Sequence, residues 1–378
     1  MSDPRLARLA DVVVNYSLEL RAGDVVVLQA PALAAPLVEE LARAAVLAGA
    51  LPYARLSVEG ADHAYLSLAD DEQLRRLPPH LMEEVETIDA RISVHAEWNT
   101  RSLSRVDPRR LALRSQASRP VMERFMERSA AEELRWAVTA YPCQAFAQDA
   151  DMSLADYEDF VYRSGWLHVE DPVAAWRDFA GKLTTVAERL GGVREVRVLA
   201  EGTDLTVGVA GRRWIPAKGD RNFPDGEVFT GPDETATRGD VRFSFPAIRS
   251  GREVENVRLR FEDGRVVRAE AAAGEDLLRE MVGMDDGSAV LGEFAIGTNY
   301  AVDRFTKQIL FDEKIGGTIH MALGAGYPET GSKNHSGLHW DMVCDLRGGG
   351  EIHADGELIY RDGRFLPEFA PDLSPPAA

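Results

Sequence analysis

Eight histidines and 62 acidic residues are spread over 378 positions, and the patterns they form are the first place to look for chemistry. A histidine two residues before an acid occurs four times, as His95/Glu97, His168/Glu170, His339/Asp341 and His353/Asp355. Chance supplies about one such pair at these frequencies. The pair His339/Asp341 stands in GLHWDMVCDL, among Trp340, Met342, Val343 and Cys344. Read as a strand, this run puts His339 and Asp341 on one face and Trp340 and Met342 on the other, since side chains alternate with period two. Two polar groups buried side by side need partners, or they cost several kcal/mol. A divalent metal ion meets that need, and so does ordinary hydrogen bonding; the spacing alone does not choose.

Other candidates are confined to the same half of the chain. Glu227 follows an Asp-Gly step in DGEVFTGP, and Glu293 follows Gly292 in the apolar VLGEFAIGTNY. The run ILFDEKIGGTIHMALGAGYPE carries Asp312, Glu313, His320, Tyr327 and Glu329. Each has a plain explanation by itself: a carboxylate closing its own turn, an acid paired with an arginine, a core histidine with its hydrogen bonds made. Taken together, carboxylates and imidazoles set in apolar segments are the donor types that a closely spaced pair of divalent cations requires. His335, in the polar run SKNHSG, reads as exposed, and His353/Asp355 falls in EIHADGELIYRDGRF, where Asp-Gly steps mark hairpin turns.

Several familiar catalytic motifs are missing: the chain has no H-E-x-x-H, G-x-S-x-G or C-x-x-C, and no G-x-G-x-x-G follows a strand. GYPETGSK, residues 326–333, has the glycine spacing of a phosphate loop. Its lysine follows Ser332 rather than the second glycine, and Pro328 and Glu329 place a non-donor and an anion where backbone N–H groups should converge. A net charge of −19 argues against sequence-independent binding of nucleic acid or of anionic membrane. Two cysteines, Cys143 and Cys344, permit neither a disulfide framework nor a thiolate cluster, so a reducing cytoplasm is the expected setting. The N-terminal stretch spaces Leu6, Leu9, Val13, Tyr16 and Leu20 as an amphipathic helix rather than a signal peptide, and no apolar run reaches membrane-spanning length.

The elements that must position these residues change in texture near residue 195. Before it, apolar strands such as AGDVVVLQAP, LPYARLSV, DARISVHAEW and RWAVTAYP alternate with helices, one of them interrupted by Pro120. This predicts an α/β domain over residues 1–194 with a mostly parallel sheet and covering helices. After it, short alternating runs broken by Gly and Asp-Gly predict an α+β domain over residues 195–378 rich in antiparallel strands, with a frayed tail at FAPDLSPPAA. The metal-binding candidates all belong to this second domain.

NFPDGEVFTGP, LGEFAIGTNY, LFDEKIGGTIHMALGAGYPE and HWDMVCDL, in this order and separation, resemble the thermophilic aminopeptidase family of metallopeptidases. RWAVTAYPCQAFAQDADMSLADYEDFVY extends the resemblance more loosely into the N-terminal half. The resemblance implies a dinuclear aminopeptidase that removes N-terminal residues from short peptides, using two divalent ions drawn from Zn, Co, Mn or Mg. It implies metal ligands at Glu227, Glu293, His320, His339 and Asp341, with Glu293 bridging the two ions. Glu313 resembles a further acidic ligand, although two extra residues separate it from His320 relative to the founding members. Tyr327 matches a tyrosine that acts on the scissile carbonyl or its oxyanion. A homodimer with its active sites opening into an internal cavity is implied as well. The same scaffold also resembles a ring-cleaving dioxygenase of dihydroxypyridine, in which His320, His339 and Asp341 would hold a single Fe(II). Such a mononuclear site has no use for Glu227 and Glu293, which favours the peptidase. A non-catalytic metal or peptide binder is the third alternative.

Overall fold

The computed structural model describes residues 3–249 and 251–376. It divides into two compact units, the chain through Val173 with Asp220–Phe223, and Ala174–Gly219 with the chain from Pro224 onward. The helix Pro172–Leu190 thus goes largely with the second unit, whereas the change of texture near residue 195 draws the line after it.

The first unit is built on a five-stranded, wholly parallel sheet in the order Leu51–Ser57, Val25–Pro31, Ala90–His95, Arg135–Ala140, Asn222–Phe223. Val26, Val27 and Leu28 are fully buried, as expected of a central parallel strand covered on both faces. The last strand is two residues long and is lent by the later part of the chain, with Phe223 fully buried. No alternating run announces it. Pro120 does not interrupt its helix, which runs continuously over Pro108–Ala130. Pro120 and Gln116 both face solvent, so water can take the carbonyl that the missing N–H leaves without a partner.

Two antiparallel sheets make up most of the second unit. The larger has eight strands in the order Arg265–Glu270, Arg258–Glu262, Arg238–Arg242, Thr203–Gly208, Glu195–Ala200, Glu351–Ala354, Glu357–Arg361, Arg364–Phe365. Three of its hairpins turn on Asp263-Gly264, Asp355-Gly356 and Asp362-Gly363, with positive φ at both residues of each step. Asp-Gly favours that backbone because its twist matches the flanking strands. The smaller sheet runs His339–Asp345, Thr318–Gly324, Leu291–Gly297, Glu227–Thr230, Ile215–Ala217. The C-terminal residues are tied down further than expected: Ala370 and Leu373 are buried, and Arg189 donates to the carbonyl of Phe369. Among the described residues no helix is long and apolar enough to cross a membrane.

Candidate metal centre

The smaller sheet explains why acids and histidines recur in apolar strands. In its ladder, Glu227 stands opposite Gly297, His320 opposite Ala295, Glu293 and Asp341 opposite Ala322, and His339 opposite Gly324. Directly paired residues share a face, so all five polar side chains project from one side of the sheet. Most of their cross-strand neighbours are glycine or alanine, which leaves room for the long side chains to lean together. The other face is apolar, carrying Phe294, Ile296, Ile319, Met321, Leu323, Trp340, Met342 and Cys344, all buried. One irregularity sets the alignment. The register shifts between Leu291 and Glu293, and a Cβ at Gly292 would lie 2.2 Å from the carbonyl oxygen of Ala325 and 2.4 Å from that of Gly324. Only glycine permits that approach.

The side chains converge. His320 Nδ1 lies 3.3 Å from Glu227 Oε2, and its Nε2 lies 3.7 Å from Glu293 Oε1 and 4.0 Å from Asp341 Oδ1. His339 Nε2 lies 3.4 Å from Glu293 Oε2 and 3.4 Å from Asp341 Oδ1. The two oxygens of Glu293 therefore turn toward different histidines. His339 Nδ1 is 2.8 Å from the carbonyl oxygen of Ala325. A carbonyl only accepts, so Nδ1 carries a proton and Nε2 is the nitrogen turned inward, free to ligate once it gives up its own proton, the usual way of orienting a ligating imidazole.

Among the described residues three overlapping sets of donors lie close enough to hold an ion: Glu227, Glu293 and His320; Glu293, His339 and Asp341; Glu313, His320 and Asp341. The fit to metal does not rest on proximity alone. Glu227 Oε2, both ring nitrogens of His320 and Asp341 Oδ1 are buried without a hydrogen-bond partner. Buried polar atoms are nearly always satisfied, and leaving one unpaired costs roughly 1–3 kcal/mol. Four unsatisfied atoms within one cluster, on both sides of the His320 ring, suit cations. The electrostatics of the site agree with the geometry: burial pushes the imidazoles down, but Glu227 and Glu293 lift His320 to about 10, and Asp341 and Glu293 lift His339 to about 11. Burial raises Glu227 to about 8. Burial also works to raise Glu293, yet the two imidazoles hold it down at about 2. The site thus demands positive charge, and a divalent ion would displace protons from the imidazoles on entering.

The remaining candidates separate. Glu313, just after the short helix Ile309–Asp312, reaches the cluster and remains partly exposed. Tyr327 lies at the open side, 36% exposed, its ring edge-on to His339 at 5.3 Å and to Phe229 at 5.5 Å between centroids. Asp312 belongs to no donor set; it accepts hydrogen bonds from the Thr306 backbone at 2.7 Å and hydroxyl at 2.9 Å. Glu329 lies on the surface in the turn Pro328–Thr330, and His335 is exposed. His353 pairs with Glu351 at 3.0 Å in the larger sheet.

Two residues of the cluster escaped the sequence reading. Lys314 is fully buried and donates to Glu227 and, at 2.9 Å, to Glu313 Oε2, with Asp225 Oδ1 at 3.6 Å. Asp225, which looks like one more Asp-Gly turn, is buried and accepts from the backbone N–H groups of Gly219 and Gly226. A lysine next to an acid in the apolar ILFDEKIGG was the available signal.

Comparison with known proteins finds relatives along nearly the whole chain. The family model described as thermophilic metalloprotease (M29) matches residues 2–365. Aminopeptidase 2 of Geobacillus stearothermophilus is 28% identical, covering 97% of each chain, and aminopeptidase T of Thermus thermophilus is 27% identical, covering 96% of each. The solved structure of wild-type AmpT from Thermus thermophilus superposes with a TM-score of 0.85 at 25% identity, over 96% of this chain and 99% of that one. A 2,5-dihydroxypyridine dioxygenase from Pseudomonas putida shares the fold at a TM-score of 0.64 and 14% identity, over 97% of this chain and 98% of that one. The chain belongs to the thermophilic metalloprotease (M29) family.

Proposed function

We propose that the chain is a dinuclear metallo-aminopeptidase that removes N-terminal residues from short peptides. The observation that carries the reading is Glu293, whose two oxygens face His320 on one side and His339 on the other. Glu293, His339 and Asp341 would hold one ion, and Glu227, Glu293 and His320 the other, with Glu293 shared. Bound there, a pair of divalent cations supplies an activated water near neutral pH and a Lewis acid for the peptide carbonyl.

The protein's own groups do the rest. The site opens where Tyr327 and His339 are most exposed, so the substrate enters along that side. The excess of carboxylates attracts a free α-ammonium group and disfavours a blocked one. Tyr327 donates its phenolic proton toward the carbonyl oxygen as charge develops there; its phenol is raised by burial and then by the charges of Glu293 and Asp341, and it stays protonated. Glu313 is the most exposed acid of the cluster, at 17% against 5% for Glu227, 5% for Glu293 and 11% for Asp341. It is the carboxylate placed to carry a proton to the leaving amine. The homodimer belongs to this proposal on the strength of the family resemblance, and sedimentation tests it.

The deciding experiment measures metal content per chain together with hydrolysis of a leucine chromogenic amide and of its N-acetylated form. Two ions per chain, chelator-sensitive cleavage of the free amine and no cleavage of the acetylated form support the reading. One iron per chain with oxygen uptake overturns it.

A further inference from the structure

We infer that Lys314 is a built-in cation that makes the two metal positions unequal, leaving one ion tightly held and the other weakly held. The inference rests on the dinuclear reading above and adds an order of filling to it. Lys314 is buried, and its ammonium binds Glu227 and Glu313 and lies 3.6 Å from Asp225. Asp225, Glu227, Glu293, Glu313 and Asp341 bring five negative charges when ionised, and Lys314 returns one, leaving four for two divalent ions to balance.

That single positive charge is not shared evenly. Glu227 has one oxygen committed to Lys314 and the other, Oε2, unpartnered and 3.3 Å from His320. An ion held by Glu227, Glu293 and His320 would therefore sit on a carboxylate that the ammonium already polarises, and would feel its repulsion in a buried, poorly screened place. The set Glu293, His339 and Asp341 has no hydrogen bond or ion pair with Lys314 among the described residues, and its histidine is already oriented by the Ala325 carbonyl. The first ion fills this set and the second fills the set beside the lysine.

The test uses full-length protein stripped with a chelator and titrated with Co2+ alone, each step followed by the visible ligand-field absorption and by calorimetry. The wild type should take up two ions with dissociation constants at least roughly tenfold apart. Lys314→Met, which keeps the length and removes the charge, should tighten the second step and leave the first within about threefold. Lys314→Gln repeats the measurement with a polar neutral group, and the wild-type titration stands whether or not either variant folds. Two equal steps in the wild type, or a second step weakened by Lys314→Met, overturn the inference and leave the dinuclear reading standing. Uptake of a single ion overturns the dinuclear reading and this inference with it.

Discussion

Replacing Glu293 by glutamine keeps its volume and removes its charge, so it asks how much of the second unit's stability depends on this one carboxylate. The side chain is buried, and the imidazoles of His320 and His339 hold it from 4.5 down to about 2. Each unit of such a shift is about 1.4 kcal/mol, so the charged form contributes roughly 3 kcal/mol to folding at pH 7. The sign follows from the direction of the shift. A lowered carboxylate gives stability that is fully present above its unfolded value near 4.5 and is lost as the pH falls through about 2. Glu293→Gln should therefore cost the chelator-treated protein about 3 kcal/mol at pH 7 and progressively less below pH 4. A second effect is separate: the substitution removes a donor common to two of the three sets, so added metal should stabilise the fold less. For the wild type, ion at a hundred times its dissociation constant adds about 2.7 kcal/mol. Urea unfolding of both proteins, with chelator and with Co2+, reads both effects. Equal stability in chelator together with an equal gain on adding Co2+ would refute the reasoning.

The raised histidines make a pH prediction. His320 and His339, lifted to about 10 and about 11, contribute stability that is complete below their unfolded value near 6.5 and is lost as pH rises through the folded values. Chelated protein should thus lose stability from pH 7 to 10 while apparent metal affinity rises, with protons released on binding; titration calorimetry in buffers of different ionisation heat counts them. Tyr327→Phe should lower kcat by roughly 10²–10³ with two ions still bound, because it removes one donor to the developing oxyanion; unchanged kcat would remove Tyr327 from the mechanism. Gly292→Ala drives a Cβ into two carbonyl oxygens, at 2.2 and 2.4 Å, and should cost on the order of 3 kcal/mol with loss of metal uptake; thermal unfolding and metal content check it.

The sequence made the donors visible because each breaks a local rule. A carboxylate or imidazole in an apolar strand must have a partner, and period-two alternation already put His339 and Asp341 together on one face. The hairpins at Asp355-Gly356 and Asp362-Gly363 were legible for the same local reason, a turn that demands positive φ. What stayed hidden depends on distance along the chain. Asn222–Phe223 joins the parallel sheet through two residues, too few for any periodicity to show. Lys314 sits 87 residues from Glu227, and no pattern in the chain says that the cation buried in one segment belongs to the anion buried in another. Asp225 failed in the opposite way, because its Asp-Gly step has a common explanation that happens not to apply.

The shared fold with a dioxygenase sharpens what selects the chemistry. If the sheet itself dictated the reaction, proteins superposing over nearly their whole length would share it, and 14% identity leaves the donor set free to differ. Among the described residues His320, His339 and Asp341 do not form one donor set: His320 and Asp341 group with Glu313, and His339 and Asp341 with Glu293. Glu227 and Glu293 add carboxylates to that trio, and a buried carboxylate is tolerated only where positive charge meets it. Among the described residues Lys314 meets one oxygen of Glu227 and has no ion pair with Glu293. Once the two imidazoles give up their protons to act as ligands, the charge of Glu293 lies between them without a counter-charge, and a second cation beside the first would satisfy it.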